Sequence, residues 1–358
     1  MADLPSGVSQ RDVADLLGLS VSTVSRALSD NDRVSDLTKR AVRDAARTLA
    51  ASRTAVSRDT AVTPARPMIG LINSGLSNDR SPQSLDVNFA EVLSGVEQAC
   101  ARAGHIPYPW QESWRLLTDE GNGFFSHVTG IITVGGVISP EVIDTVQRQG
   151  LPVVIVGAQY PGSGITSVGS DNTTGTLLAV RHLVAQGHSK IALINGPGAT
   201  HTSHEKLAGY LLGLAEAGIP LQPELIRSRD GELSFDETAG DAMATQVLGL
   251  PEPPTAIICA FDQFVTGVYR AASRMGIAIP GDLSVVGFHD DDAARFAIPP
   301  VTTIHVRRTQ WGETAVDLLL RLREPSAIRG THTLIPVHLV ERESTGPPRA
   351  SPDGYRQQ

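Results

Sequence analysis

Between Val8 and Leu28 the chain reads VSQRDVADLLGLSVSTVSRAL, two short amphipathic segments about a single glycine. In the first, Val13, Leu16 and Leu17 share one helical face, with Arg11, Asp12 and Asp15 on the other. In the second, Val21, Val24 and Leu28 repeat at helical spacing. Gly18 stands between them, where a tight turn can take positive φ without steric cost. Ser20 precedes the second segment, and its hydroxyl can accept from the first free N–H groups there. The pattern predicts a helix-turn-helix, whose second helix enters the major groove of DNA.

Asp30, Asn31 and Asp32 form a turn cluster. A third helix is expected over about residues 36–51, capped by Ser35, with Leu37, Ala41, Val42, Ala45 and Leu49 turned toward the first two. Residues 52–67, SRTAVSRDTAVTPARP, hold no sustained periodicity and end in two prolines, the pattern of a linker. From Met68 the texture changes. MIGLIN is a buried-strand run, followed by a helical stretch from about Asn88 to Gly104. Apolar runs at 130–134, 152–156, 190–194, 256–260 and 283–287 then alternate with helical patterns at 141–149, 173–186, 205–217, 235–248 and 264–275. Such alternation predicts parallel sheets covered by helices on both faces. Residues 68–345 are too many for one sheet of usual size, so the expected fold class is α/β, two lobes behind an all-α headpiece.

Composition narrows the class. Of 358 residues, 41% are hydrophobic and 19% charged, enough apolar material for sizeable cores. No apolar run approaches the roughly 20 residues that span a bilayer, and the N-terminal MADLPSGVSQ has no signal-peptide pattern, so a cytoplasmic protein is expected. Cys100 and Cys259 lie far apart in apolar segments, as buried thiols rather than a disulfide or metal pair. The net charge of −8 is unusual for a DNA binder. Residues 1–60 carry nine Arg/Lys against eight Asp/Glu, so the headpiece is about neutral and phosphate affinity depends on where its arginines point.

DVADLLGLSVSTVSRAL followed by RVSDLTKRAV resembles the DNA-binding headpiece of the lac repressor (LacI-type) family of bacterial transcription regulators. SDNTTGTLLAVRHLVAQGHSKIALINGP, KLAGYLLGLAEAGI, DLSVVGF, IPPVTTI and LVERESTGP resemble its ligand-binding core. The resemblance implies a periplasmic-binding-protein-like core with two lobes, three crossover strands and a cleft between. It places the headpiece at 1–51, a hinge at 52–67 and the core at 68–345, with a disordered tail at 346–358. Lobe 1 is expected over about 68–162 and 293–324, lobe 2 over about 163–292 and 325–345. The similarity fails over 74–84, which has the look of an inserted polar loop. It also fails in the hinge, where only Leu49 and Arg58 match and Val56 holds the position of the family's minor-groove leucine wedge. A hinge helix and a plain flexible linker both remain open for this stretch.

The same resemblance carries over site residues. Val21 and Ser22 stand where the family contacts base edges, and Arg26 can grip guanine O6 and N7 as a fork. Ser20, Thr23 and Ser25 suit phosphates, which set register rather than sequence; Val56 and Arg58 complete the DNA set. For the effector, the cleft loops at strand carboxyl ends offer Asn88, Phe89, Tyr160, Lys206, Phe261, Asp262 and His289. Lys206 stands where the family usually has arginine, and His289 where it usually has a sugar-binding aspartate. These departures suggest an anionic or aromatic molecule held by Lys206 and His289 and stacked on Phe89 or Phe261. A one-residue slip would return Asp290 to the acceptor role, and Asp262 could equally be a helix cap.

Other constellations point nowhere firm. His201, His204 and Glu205 approach metal-ligand spacing without a further ligand nearby, and the run Asp290–Asp292 is better read as a solvated loop. Gly196-Pro197-Gly198 lacks a phosphate-loop ending. No nucleophile has a placed base, so neither catalysis nor a metal or other cofactor is expected. The implied function is a homodimeric, effector-switched regulator, expected to repress from a pseudo-palindromic operator, with the dimer surface near the helices after Asn88 and Pro251. The competing function is a metabolite-binding module with a weak or lost DNA role, motivated by the neutral headpiece and eroded hinge.

Overall fold

Short valine- and isoleucine-rich runs, buried on both faces, become the strands of two parallel sheets, as expected where helices cover both sides. The computed structural model describes residues 9–17, 19–29, 34–35, 38–42, 44–46, 66–73, 87–110, 124–135, 143–145, 148–198, 200–228 and 236–349. The turn at Gly18, the cluster at 30–32, Leu37, Leu49, residues 52–65 of the hinge with Val56 and Arg58, and the whole loop at 74–84 lie outside them. Contacts divide the chain into two units, Met1–Arg66 and Pro67–Gln358.

In the first unit, α1 (Gln10–Leu17) and α2 (Val21–Leu28) are joined by further helical turns at 38–42 and 44–46. Ser9 caps α1 reciprocally with Asp12: the Ser9 amide and hydroxyl both donate to Asp12 Oδ2 at 2.8 Å, and the Asp12 amide returns a bond to Ser9 Oγ at 3.2 Å. Ser35 Oγ accepts from the Thr38 amide at 3.2 Å, as its N-cap position foretold. Val13, Ala14, Val24, Ala27, Leu28, Val42 and Ala45 form the small core. Leu16, expected on the inner face, is 54% exposed, because the face that closes on α2 runs through Val13, Ala14 and Leu17.

In the second unit, one sheet has the order β11-β5-β4-β3-β1-β2 and the other β12-β10-β9-β8-β6-β7. The first comprises β1 (Met68–Asn73), β2 (Ile106–Trp110), β3 (Val128–Val134), β4 (Val153–Val156), β5 (Thr166–Ser170) and β11 (His332–Ile335), all parallel. The second comprises β6 (Ile191–Ile194), β7 (Ile226–Arg227), β8 (Ala256–Cys259), β9 (Ser284–His289), β10 (Thr302–His305) and β12 (His338–Val340), with only β12 antiparallel. Pro107 and Pro109 are tolerated in β2 because it is an edge strand.

The chain crosses between sheets after β5, after β10 and between β11 and β12. These crossings correct the expected lobe limits. Residues 166–170 belong to lobe 1, 302–305 to lobe 2 and 332–335 to lobe 1. Strands of both sheets are alike as short apolar runs, so periodicity does not say which sheet receives each one. The expected tail also begins too early: the Gly346 amide donates to Ser284 Oγ at 3.0 Å, and its carbonyl accepts from buried His188 at 2.9 Å. Cys100 and Cys259 are buried free thiols. Among the described residues no helix is long and apolar enough to cross a membrane.

The flanking helices are α3 (Val87–Arg102) and α8 (Arg308–Arg321) on lobe 1, and α4 (Asn172–Ala185), α5 (His201–Glu216), α6 (Glu237–Leu248) and α7 (Asp262–Arg274) on lobe 2. The α3–α8 pair touches backbone to backbone: a Cβ on Gly95 would lie 1.9 Å from Thr309 O, and one on Gly312 2.2 Å from Val92 O. Gly312→Ala must push the helices apart. It is expected to cost about 1–3 kcal/mol, read as a lower urea midpoint at unchanged slope; an unchanged midpoint contradicts this packing.

Candidate nucleic-acid interface and ligand cleft

On α2 the sequence separates an inner face from an outer one. Val24, Ala27 and Leu28 are buried, while Ser22, Ser25 and Arg26 are exposed and Val21 is 45% exposed. Ser20 is the N-cap, its Oγ accepting from the Thr23 amide at 3.2 Å and bonded to Ser22 Oγ and Thr23 Oγ1 at 2.9 and 2.8 Å. Ser20 thus holds the helix start, and its exposed hydroxyl is bonded to those of Ser22 and Thr23. Arg26 lies back along the helix, Nε donating to Ser22 O at 3.1 Å and a terminal nitrogen to Ser22 Oγ at 3.2 Å. Val21, Ser22, Ser25 and Arg26 therefore form one outward surface of mixed apolar, hydroxyl and cationic character. The arginine sits in the last turn, where the helix dipole favours positive charge.

The residues expected to meet an effector fare differently. The side chain of Asn88 lies outside what the structure describes. Phe89, expected as a stacking platform, is 2% exposed and packs with Ile69, Val92 and Val134 inside lobe 1, because the turn of α3 it occupies faces the sheet. Tyr160 is half-buried against Ile72 and Ile155.

Lys206, Phe261, Asp262 and His289 do come together, at the carboxyl ends of β8 and β9, but the cluster is turned into lobe 2. Lys206 is 0% exposed, donates to Ala260 O, and lies over the rings of Phe261 and Phe288 at 4.2 and 4.0 Å. Burial pulls its pKa down to about 7, against the opposing pull of Asp262 and Glu205. Asp262 is the first residue of α7 and not its cap. Its carboxylate accepts from the Phe288 and Asp291 amides at 2.7 and 2.8 Å and from Thr303 Oγ1 at 3.0 Å, tying the ends of β9 and β10 to α7. Burial, then the neighbouring Asp291, pushes its pKa up to about 6. His289 stacks near Phe261 at 5.2 Å and holds φ at +115°, a strained value for a residue with a side chain. Burial, then Lys206 and Arg308, holds it well below the usual imidazole range. The pair expected to grip an anion is thus a buried amine and a neutral ring.

Asp290, the alternative acceptor, is occupied as well. It accepts from Arg342 at 2.6 Å, His305 at 2.9 Å and Arg295 at 3.4 Å. Burial raises its pKa, but these bonds outweigh that and hold it below the usual carboxylate range. The expected solvated loop at 290–292 is therefore in large part a set of ion pairs.

Two features escaped sequence reasoning. Arg308, buried at the start of α8, donates to Glu91 of α3 at 3.1 Å and to Asp291 after β9 at 2.7 Å, so one guanidinium joins lobe 1 to lobe 2. A cavity between the lobes is lined by Gln159, Ser170, Asn172, Thr202, Glu205 and His332, at the carboxyl ends of β4 and β5 and the first turn of α5. The only sequence signal for Glu205 was its place in the discarded HxxHE pattern. Among the described residues no group of three or more His, Cys, Asp or Glu side chains could hold a metal.

Residues 10–50 match the family model for bacterial regulatory proteins of the lacI family, and residues 180–345 match that of a periplasmic binding protein-like domain. The chain is 29% identical over 343 residues to the HTH-type transcriptional repressor CytR of Escherichia coli, covering 95% of this chain and 97% of that protein. It is 30% identical over 346 residues to the HTH-type transcriptional repressor PurR of Photobacterium profundum, covering 93% and 97%. A crystal structure of the lac repressor dimer bound to operator and the anti-inducer ONPF is similar at 27% identity and a TM-score of 0.64, covering 95% of this chain and 99% of that one.

Lys206 gives lobe 2 a pH signature. Its folded pKa, about 7, lies below that of the unfolded chain, so the unfolded state binds more protons between the two values and stability rises with pH across that window. Lys206→Met removes the buried amine. It is expected to flatten the rise in urea midpoint between pH 7 and pH 10; a slope equal to that of the native chain contradicts the buried placement.

Proposed function

The chain belongs to the lacI family of bacterial regulatory proteins, and on that premise we propose how it works. It is a ligand-responsive, DNA-binding transcription regulator. It acts in the cytoplasm as a homodimeric repressor and carries out no catalysis. Two headpieces bind the half-sites of a pseudo-palindromic operator, with successive major grooves about 34–36 Å apart. The observation that carries this is the outward surface of α2, where Val21, Ser22, Ser25 and Arg26 stand free of the headpiece core while Ser20 fixes the helix start. Val21 suits a thymine methyl, Ser22 either base edge, and Arg26 a guanine once it swings from Ser22.

A small effector enters the cleft between the lobes and shifts the population of lobe arrangements by its differential affinity for them. Any change of lobe angle must act on the Arg308–Asp291 bond, which ties one lobe to the other. The near-neutral headpiece, nine cations against eight anions over residues 1–60, supports a second reading, a metabolite sensor that no longer binds DNA.

Fluorescence anisotropy with the DNA upstream of the protein's own gene separates the two. Salt-sensitive binding supports the regulator; folded protein that binds no DNA at low salt supports the sensor. Arg26→Ala is expected to cost roughly 1–3 kcal/mol per half-site, whereas Val56→Ala costs little. A large loss from Val56→Ala would mean that a hinge helix forms on DNA.

A further inference from the structure

The cavity between the lobes has a chemical bias of its own. Glu205 sits there with Oε2 accepting from Asn172 Nδ2 at 2.8 Å and Oε1 lying 3.5 Å from His201 Nε2. Among the described residues no lysine or arginine pairs with it. The lysine next to it in sequence is turned away into lobe 2, onto Ala260 O. Across the cavity, Ser170 is 3% exposed and its hydroxyl has no hydrogen-bond partner. A buried polar group left unpaired is costly and calls for a ligand or ordered water. His332 closes the same wall, its Nδ1 bonded to Ser167 Oγ at 2.8 Å.

The remaining polar lining, Gln159, Asn172 and Thr202, is neutral, and among the described residues no phenylalanine, tyrosine or tryptophan lines the cavity. An anionic ligand would be desolvated against a carboxylate, which selects against it. The described lining favours a donor-rich molecule with positive charge.

We propose that Glu205, with Ser170 and His332, forms the specificity wall of the cleft and is the counter-ion of a protonated amine on a small polyhydroxylated effector, of the amino-sugar class. The proposal rests on the cleft being the effector site of a regulator. It reverses the charge preference suggested by Lys206 and His289 in the sequence. Those two are held inside lobe 2, and among the described lining residues Glu205 carries the carboxylate.

The test is isothermal titration calorimetry of the full chain at pH 6.5 with three matched series: glucosamine, glucose and gluconate, and their galacto and manno counterparts. In at least one series the amine is expected to bind roughly tenfold or more tightly than its neutral and acidic partners, the range for a hydrogen bond to a charged group. Glu205→Gln, which keeps an acceptor for Asn172, is expected to bring that ratio close to one. If that variant fails to fold, Glu205→Asp, with the charge kept on a shorter stem, is expected to retain the preference at lower affinity. A neutral or acidic partner that binds as tightly, no binding by any of the three amines, or an amine preference unchanged in Glu205→Gln overturns the proposal. Ligand-free protein that binds its upstream DNA while failing these expectations leaves the regulator intact and removes only the amine wall; protein that binds no DNA fails the underlying function instead.

Discussion

Arg308 is withdrawn from solvent at the first residue of α8, and its guanidinium is divided between Glu91 and Asp291. A buried cation is tolerated only when anions and hydrogen bonds surround it, and removing one partner of such a set strands the others. The set continues past Arg308. The Asp291 amide donates to Asp262, whose carboxylate also takes the Phe288 amide and the Thr303 hydroxyl. One connected chain of charge therefore runs from α3 in lobe 1, through Arg308, to the ends of β9 and β10 in lobe 2. It is a polar tie between the two lobes that runs through buried side chains. That explains why Asp262, which was expected at the effector, is occupied within the protein.

Much of the architecture could be read from the sequence, because both kinds of evidence are local. Helical spacing in QRDVADLL and VSTVSRAL, a serine before each, and short apolar runs between amphipathic stretches depend on near neighbours. The lobe limits could not be read the same way. Whether 166–170 or 302–305 joins one sheet or the other is a matter of long-range pairing, and the two sheets use indistinguishable strands. The cleft was harder still. The family resemblance placed Lys206 and Phe89 near the ligand, but it could not say that the amine reaches inward to Ala260 O or that the phenyl ring faces the sheet. Glu205 was visible only as part of a motif for different chemistry, and Arg308 carried no local signal at all.

The two units divide the labour unevenly. The headpiece has a core of few, mostly small residues and almost no net charge, so general attraction to the phosphate backbone is weak. The residues proposed to discriminate lie on the outward face of α2, from Val21 to Arg26. The acidic excess belongs to the remainder of the chain. Repulsion between that excess and the phosphate backbone opposes non-specific binding.

Three short crossings join the lobes, at 170–172, 305–308 and 335–338, while the sheets themselves are held by continuous ladders of hydrogen bonds. Packed sheets resist bending, so backbone rotation in any lobe motion concentrates in those few residues. Three parallel links between two stiff plates behave as a mechanical hinge with very few degrees of freedom. Such links favour rotation about one axis over independent splay, shear or twist of the lobes. Chemically different ligands would then all turn one dial, differing in how far they move it and not in which way the plates travel.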